Sequence, residues 1–400
     1  MRVVVFGYHD VGCACLRGLL DTGQEVPLVV THADDPGENI WFGSVRELAA
    51  SHGVPVMTPA DANASDLVEA IRALRPDAFL SCYFRQILGP ALLAIPPRGA
   101  YNMHGSLLPK FRGRAPVNWV LVKGETVTGV TLHHMTEKPD RGDIVGQRAV
   151  PITDEDTALT LHGKCAAAAG DLIREVWPRI EEGTAPRIPQ DPAQASYFGR
   201  RRPEDGRIDW SLSARECFNL VRAVTHPYPG AFTTAGDRKL FVWKAKLLPE
   251  EPSRPKPAAA ATAPVRSGGE AGIAADRREP GRVVLAAIGP EAARTSPQPE
   301  RRDERIDGGT DWTSGAGGPC GRPGGGNGEA SAGSAALREA QQAPTRPGAI
   351  TSVLDGTGFM VRTGSGFLLV ERAQFEGHEE RSADRLVRSG GLHVGQRLGP

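Results

Sequence analysis

The chain opens on an unbroken apolar run, "RVVVFG" at residues 2–7, and similar short runs recur at 25–31, 54–59, 77–84 and 99–104. Between them lie stretches with apolar residues at helical spacing: "VGCACLRGLLDTG", "SVRELAASHG" and "DLVEAIRALRP". Apolar runs of this length suit strands covered on both faces, and their alternation with helices predicts a parallel sheet with right-handed crossovers. Two of the helical patterns close on Gly23 and Gly53, as helices that end in a left-handed residue do. Two more strands are expected at 129–135 and 144–150, followed by one long helix over 156–180 that packs back on the sheet.

A second unit begins near Ala195, with a helix pattern at 213–224 and then aromatic and β-branched runs separated by turn residues. Composition then changes. Residues 251–345 are dominated by Pro, Gly, Ala, Ser and Arg, as in "GAGGPCGRPGGGNGEASAG". Such a segment offers too little apolar area to offset the entropy of ordering it, so it reads as a disordered insert holding one stray strand-like run, 281–289. Alternation resumes over 347–377 with glycine turns. The expected organisation is an α/β domain over 1–190, a small β domain from 205–250 and 347–400, and the insert 251–345 between its halves.

Charge narrows the partners. Lys plus Arg equal Asp plus Glu at 47 each, so no overall field draws the chain to nucleic acid or a membrane. Six scattered cysteines without a CxxC pair suit buried thiols in a reducing compartment. There is no apolar run of about 18 residues, and the first run turns polar too soon for a secretory signal. A cytoplasmic protein is expected. The turn "FGYHDVGCAC" lacks G-x-G-x-x-G and the late glycine cluster lacks G-K-[ST], which disfavours a dehydrogenase or a phosphate loop.

The chemistry concentrates at "NMHGSLLPKFRGRAP", residues 102–116. On a strand, Asn102 and His104 share a face, and they fall at the strand's C-terminal end, where open α/β sheets bind ligands. The loop behind them carries Ser106, Lys110, Arg112 and Arg114, more polar chemistry than a bare connector needs. "TEKPDRGDI" follows the next strand and offers Asp140 and Asp143 about Gly142. A carboxylate returning to His104 would orient the imidazole, and Asn102 could then donate to a developing oxyanion. No serine or cysteine nucleophile is placed to form a covalent intermediate, so direct transfer to an amine through a tetrahedral intermediate is expected. His133 and His134 face opposite ways on their strand, and HExxH spacing is absent, so no metal is expected.

These motifs resemble the folate-dependent formyltransferases, over roughly 1–250 and 347–400. The family carries an N-x-H…S-L-L-P-x-(aromatic)-R-G core and a D-x-G loop, which "NMHGSLLPKFRG" and "KPDRGDIV" resemble. The resemblance implies a Rossmann-like formyltransferase domain followed by a small OB-like β-barrel domain, with 10-formyltetrahydrofolate as co-substrate and no metal. It implies that Asn102 stabilises the transition state, that His104 donates a proton, and that Asp140 raises the pKa of His104. Folate contacts carried over residue by residue are Gln86, Ile87 and Leu88, then Arg114, then Thr136, Glu137, Lys138, Pro139 and Asp140. "VVFGYHDVGCACL", "THADDPGENIWFGSV" and "YFGRRRPEDGRIDW" are most similar to members that formylate UDP-4-amino-4-deoxy-L-arabinose in lipid A modification. A small-molecule aminosugar nucleotide is therefore the expected acceptor, and neither membrane insertion nor nucleic-acid binding is expected. The alternative is formylation of charged initiator tRNA, for which residues 186–250 offer 11 Lys/Arg against 7 Asp/Glu.

Overall fold

The computed structural model describes residues 1–248 and 346–399. The N-terminal region follows the alternation of the sequence: β1 (Arg2–Gly7), α1 (His9–Asp21), β2 (Glu25–Val30), α2 (Val45–Ser51), β3 (Val56–Met57), α3 (Ser65–Ala73), β4 (Ala78–Cys82), α4 (Pro90–Leu93) and β5 (Ala100–His104). Then come β6 (Arg112–Gly113), α5 (Pro116–Val122), β7 (Val127–His134), β8 (Ile144–Pro151) and α6 (Ala158–Glu182). Seven strands form one sheet in the order β3-β2-β1-β4-β5-β7-β8. The first five pair in parallel, as their helical crossovers require, whereas β7 runs antiparallel to both β5 and β8.

Both faces of the sheet are covered, which explains why its strands read as continuous rather than alternating apolar runs. Val3 and Val5 of β1 enter the core beneath α1 and α6, while Val4 and Phe6 enter the core beneath α3. The expected strand at 54–59 shortens to Val56–Met57 on the sheet edge. Gly23 and Gly53 close α1 and α2 with φ of +75° and +68°, as expected of left-handed caps. The long helix α6 starts on a reciprocal Thr157–Thr160 cap and ends at Gly183.

The second part adds β9 (Tyr197–Phe198), α7 (Ala214–Val224), β10 (Ala231–Ala235) and β11 (Arg238–Leu247). Beyond residues 249–345 it continues with β12 (Ile350–Leu354), β13 (Gly358–Arg362), β14 (Phe367–Phe375) and β15 (Arg381–Ser382). These strands form an antiparallel sheet, β10-β11-β14-β13-β12, with β15 also on β14. The β11–β14 ladder, Leu240 opposite Phe375 through Leu247 opposite Leu368, joins residues from both sides of the interruption. Residues 251–345, expected to be a disordered insert, and the strand expected at 281–289 within them lie outside the described residues. Asn118 Nδ2 of α5 donates to the Ala223 carbonyl of α7 at 2.7 Å, tying the helix behind the candidate loop to the helix of the second part.

Two helices approach closely where their side chains vanish. A Cβ on Gly18 of α1 would lie 2.7 Å from the Gly170 carbonyl oxygen of α6, and one on Gly170 would lie 3.1 Å from the Ala14 carbonyl oxygen. Backbone is met on both sides, so a larger residue must push the helices apart. Gly18→Val should cost about 1–3 kcal/mol, read as a lower urea midpoint with an unchanged slope; wild-type stability in the variant would show that this contact is loose.

Candidate functional site

The C-terminal ends of β4 and β5 open onto a cleft of about 1220 Å³. Asn102 and His104 both line it, on the same strand face, and the β7–β8 loop brings Asp140 to them. His104 Nδ1 lies 3.4 Å from Asp140 Oδ1, and its Nε2–H donates to the Phe111 carbonyl at 2.8 Å. Both ring nitrogens thus face oxygens, Nε2 in a hydrogen bond and Nδ1 in a longer approach to the carboxylate. The other Asp140 oxygen accepts the Gly113 N–H at 2.9 Å.

Two local features let Asp140 reach this point. Its own backbone is left-handed, with φ of +59°, which Asp tolerates better than most side chains. Gly142 then passes so close to β7 that a Cβ there would sit 1.9 Å from the His134 carbonyl oxygen. Gln190 clamps the loop from below by donating to the carbonyls of Asp140 and Gly142 at 3.0 and 2.7 Å, while its own Oε1 accepts from Arg112. The neighbouring Asp143 faces away and pairs with Arg187 at 3.3 Å, so of the two candidate carboxylates only Asp140 joins the site.

The segment 105–113 is held by a chain of polar contacts buried under the sheet edge. Thr131 Oγ1 donates to the Ser106 carbonyl at 2.6 Å and accepts from the Leu108 N–H and from Gln147 Nε2. Ser106 Oγ donates to the Lys110 carbonyl at 2.7 Å. With its hydroxyl engaged and its side chain fully buried, Ser106 positions the loop and is no nucleophile. The described cysteines are no better placed: all are buried, and burial pushes the Cys13, Cys165 and Cys217 thiols up to about 11, 12 and 12.

His133, which drew notice in the sequence only as an improbable metal ligand, lies beside the site. It stands opposite Asn102 in the β5–β7 ladder. Its Nδ1–H donates to the His134 carbonyl at 2.8 Å, which leaves the Nε2 lone pair to accept from Asn102 Nδ2–H at 3.1 Å. Burial, and then the neighbouring His104, lower its pKa to about 4, so the ring is neutral at ordinary pH. A neutral His133 fixes the Asn102 amide and leaves its second N–H free to donate elsewhere. Only the cross-strand register discloses this partner, and register is not written in residue spacing.

Of the other expected contacts, Arg114, Thr136, Lys138 and Pro139 line the cleft, and Glu137 is exposed beside them. Gln86, Ile87 and Leu88 also line it, with divided roles. The Gln86 side chain is taken up by bracing the neighbouring loop, accepting from the Ala62 N–H and donating to the Ala60 carbonyl. Ile87 is 66% exposed and free to cover a ligand, whereas Leu88 is 2% exposed and packs in the α3 core. Among the described residues no helix is long and apolar enough to cross a membrane.

Residues 1–176 match the family model for the formyl transferase domain, and 201–287 match that for the formyl transferase C-terminal domain. Together these matches cover well over half of the chain, which therefore belongs to the formyl transferase family. Among solved structures, an N-formyltransferase from Helicobacter canadensis in complex with folinic acid and dTDP-3-aminofucose is 22% identical; the alignment covers 60% of this chain and 94% of that one, with a TM-score of 0.47. HypX from Aquifex aeolicus in complex with tetrahydrofolic acid is 14% identical, over 97% of this chain and 47% of that one, with a TM-score of 0.51. A methionyl-tRNA formyltransferase from Clostridium thermocellum is 16% identical, over 62% and 94%, with a TM-score of 0.44. Identities this low speak to fold alone.

The depressed pKa of His133 sets a stability window. Unfolded, the ring takes a proton near 6.5; folded, it does so only near 4. The unfolded chain binds the extra proton between those values, so stability falls as pH drops through that window. His133→Gln should lose less melting temperature between pH 7 and pH 4.5 than the wild type does. An equal loss in both would mean that His133 titrates freely.

Proposed function

We propose that this formyltransferase takes the formyl group of 10-formyltetrahydrofolate and passes it to the amine of an aminosugar nucleotide, UDP-4-amino-4-deoxy-L-arabinose, in the cytoplasmic stage of lipid A modification. The observation that carries the reading is the meeting of Asn102, His104 and Asp140 in one cleft wall, where neither a buried thiol nor Ser106 can form an acyl-enzyme. Transfer then proceeds directly. The amine nitrogen attacks the formyl carbon, and the carbonyl electron pair becomes an oxyanion. Asn102 donates to that oxyanion with the N–H that His133 leaves free. Collapse breaks the bond from the formyl carbon to the folate nitrogen; His104 supplies the proton that this nitrogen needs and takes up the one shed by the amine, so the product is a neutral formamide and the ring returns to its starting state. Asp140 holds the His104 ring and balances its charge when protonated.

The donor reading draws support from Ile87 at one end of the cleft and from Thr136 to Asp140 beside it. Arg112, Arg114, Arg141 and Arg200 also line the cleft, a concentration of guanidinium groups suited to carboxylates or phosphates on either substrate. Tyr8, Tyr83 and Tyr228 also wall the cleft, an aromatic surface able to stack on a sugar or base. The likeness of "YHDVGCACL" and "YFGRRRPEDGRIDW" to aminosugar enzymes supports this acceptor over tRNA.

Acceptor choice is tested by supplying 10-formyltetrahydrofolate with either UDP-4-amino-4-deoxy-L-arabinose or charged initiator tRNA. Formylation of the sugar nucleotide with little salt dependence is expected; faster turnover on tRNA that collapses with added salt would overturn the assignment. Catalytic roles are tested separately. His104→Ala should lower kcat by about 10²–10⁴ and Asn102→Ala by about 10²–10³. Folate affinity should change far less in both, because the lost contacts strengthen in the transition state. Near-normal kcat in folded His104→Ala protein would remove the central residue from this mechanism.

A further inference from the structure

One cluster, whose two histidines line the cleft, takes no step in the transfer just described. It sits where β1 meets α1 and where α6 begins its second turn: His9, Asp10 and His162 each place one ligand-type atom within 4.8 Å of the others. His9 Nδ1 lies 3.4 Å from Asp10 Oδ2, and His162 Nε2 also lies 3.4 Å from that oxygen. His162 is 4% exposed, yet its Nε2 has no hydrogen-bond partner, because the approach to Asp10 is too misdirected to make one. A buried ring nitrogen left unpaired costs free energy, so a native site that keeps one invites a reason.

The spacing supplies it. Four ligands at about 2.1 Å around a tetrahedral cation stand about 3.4 Å from each other. That is the separation of both imidazole nitrogens from the carboxylate oxygen. We propose that His9 Nδ1, Asp10 Oδ2 and His162 Nε2 form a three-ligand site for a borderline divalent cation of the zinc class, with a fourth position open to the cleft. Two imidazoles and one carboxylate suit zinc over the all-oxygen shells of calcium or magnesium.

The surroundings fit such a site. Asp10 Oδ1 accepts the Gly43 N–H at 2.8 Å, which aims Oδ2 at the two rings and orients the ligand from outside. His9 Nδ1 accepts the Asp10 N–H at 2.9 Å, so the ring carries its proton on Nε2 and keeps a lone pair on the nitrogen that faces the cluster; the cation would take this lone pair in place of that contact. Burial lowers the pKa of both rings, that of His9 to about 2. His9 adopts φ of +68°, a strained left-handed turn that aims its ring at α6 and that a coordinate bond would help to hold. Phe42 stacks on the His9 ring at 3.8 Å and Trp41 meets its edge at 4.7 Å, shielding the cluster from water on that side. His9 and Asp10 lie more than 150 residues from His162 in sequence, which is why no ligand spacing announced the site. The cation has no place in the formyl transfer, so this inference stands apart from the proposed activity.

Cobalt(II) is the probe of choice, because its visible spectrum reports coordination number. The full-length chain, stripped with a chelator, should take up one Co²⁺ per molecule with the intense visible bands of four-coordinate cobalt, and stoichiometric Zn²⁺ should displace it. Zn²⁺ should also raise the melting temperature of the stripped protein by mass action. His162→Gln and Asp10→Asn should each abolish the bands and the zinc-dependent rise in melting temperature. The proposal fails if the wild-type chain shows neither effect, if its cobalt spectrum is the weak one of a six-coordinate ion, or if either variant binds as the wild type does. The wild-type measurements decide against the site even where a variant does not fold.

Discussion

The carboxylate of Asp140 is the point on which the candidate site hangs. One oxygen accepts the Gly113 N–H and so fixes the loop that follows β5; the other faces His104 at 3.4 Å and His133 at 3.8 Å. A single charge therefore joins three segments: the end of β5, the turn behind it, and the β7–β8 loop. A carboxylate withdrawn from water is costly unless its oxygens find donors. Here they find a backbone N–H and an imidazole. The chain accepts a left-handed Asp140 and a Gly142 pressed against β7 to bring that about. Strain of this kind persists only where the surrounding contacts outweigh it, and Gln190 and Arg112 supply those contacts from behind the loop.

The sheet explains why the carboxylate is needed at this place. β5 is the last strand of the parallel series, and β7 returns antiparallel beside it. At that change of direction the end of β5 has a crossover on one side and a reversed strand on the other, and the cleft forms between them. Asn102 and His104 point into it because the pleat repeats every two residues. The antiparallel register then delivers His133 opposite Asn102, while the loop that follows β7 brings Asp140 back over His104. Donor, orienter and carboxylate are thus assigned by topology before any side-chain chemistry is considered.

Much of this was legible in the sequence, for identifiable reasons. Strands buried on both faces announce themselves as apolar runs, and helices closed by glycine mark their own ends, so the five strands up to β5 and the three longer helices between them could be read in order, though the short α4 and the narrow extent of β3 could not. Asn102 and His104 could be picked out because polar side chains paired on one face at a strand end serve no packing purpose, whereas Asp140 was separated from Asp143 only by the resemblance of "KPDRGDIV" to the family's D-x-G loop. The reversed direction of β7 could not be read, since an apolar run looks alike in either orientation. Nor could the division of labour within "QIL", where Ile87 faces the cleft and Leu88 enters the core: their hydrophobicity is the same and only the backbone path separates them. His133 escaped for the same reason, as its role is a matter of register.

The polar logic of the site also depends on which groups stay neutral. Asn102 keeps one N–H free only while its other N–H has an acceptor to rest on, and that acceptor is the lone pair of His133 Nε2. A proton on His133 would set donor against donor. The amide would then turn its oxygen toward the ring, giving up the N–H that faces the cleft. Burial of His133, together with the adjacent His104, works against that proton and holds the pKa near 4. The desolvation that costs the fold stability in acid is therefore what extends the neutral ring, and with it this Asn102 contact, into mildly acidic solution. A more exposed ring would cost the acidified protein less stability and would lose that contact at higher pH.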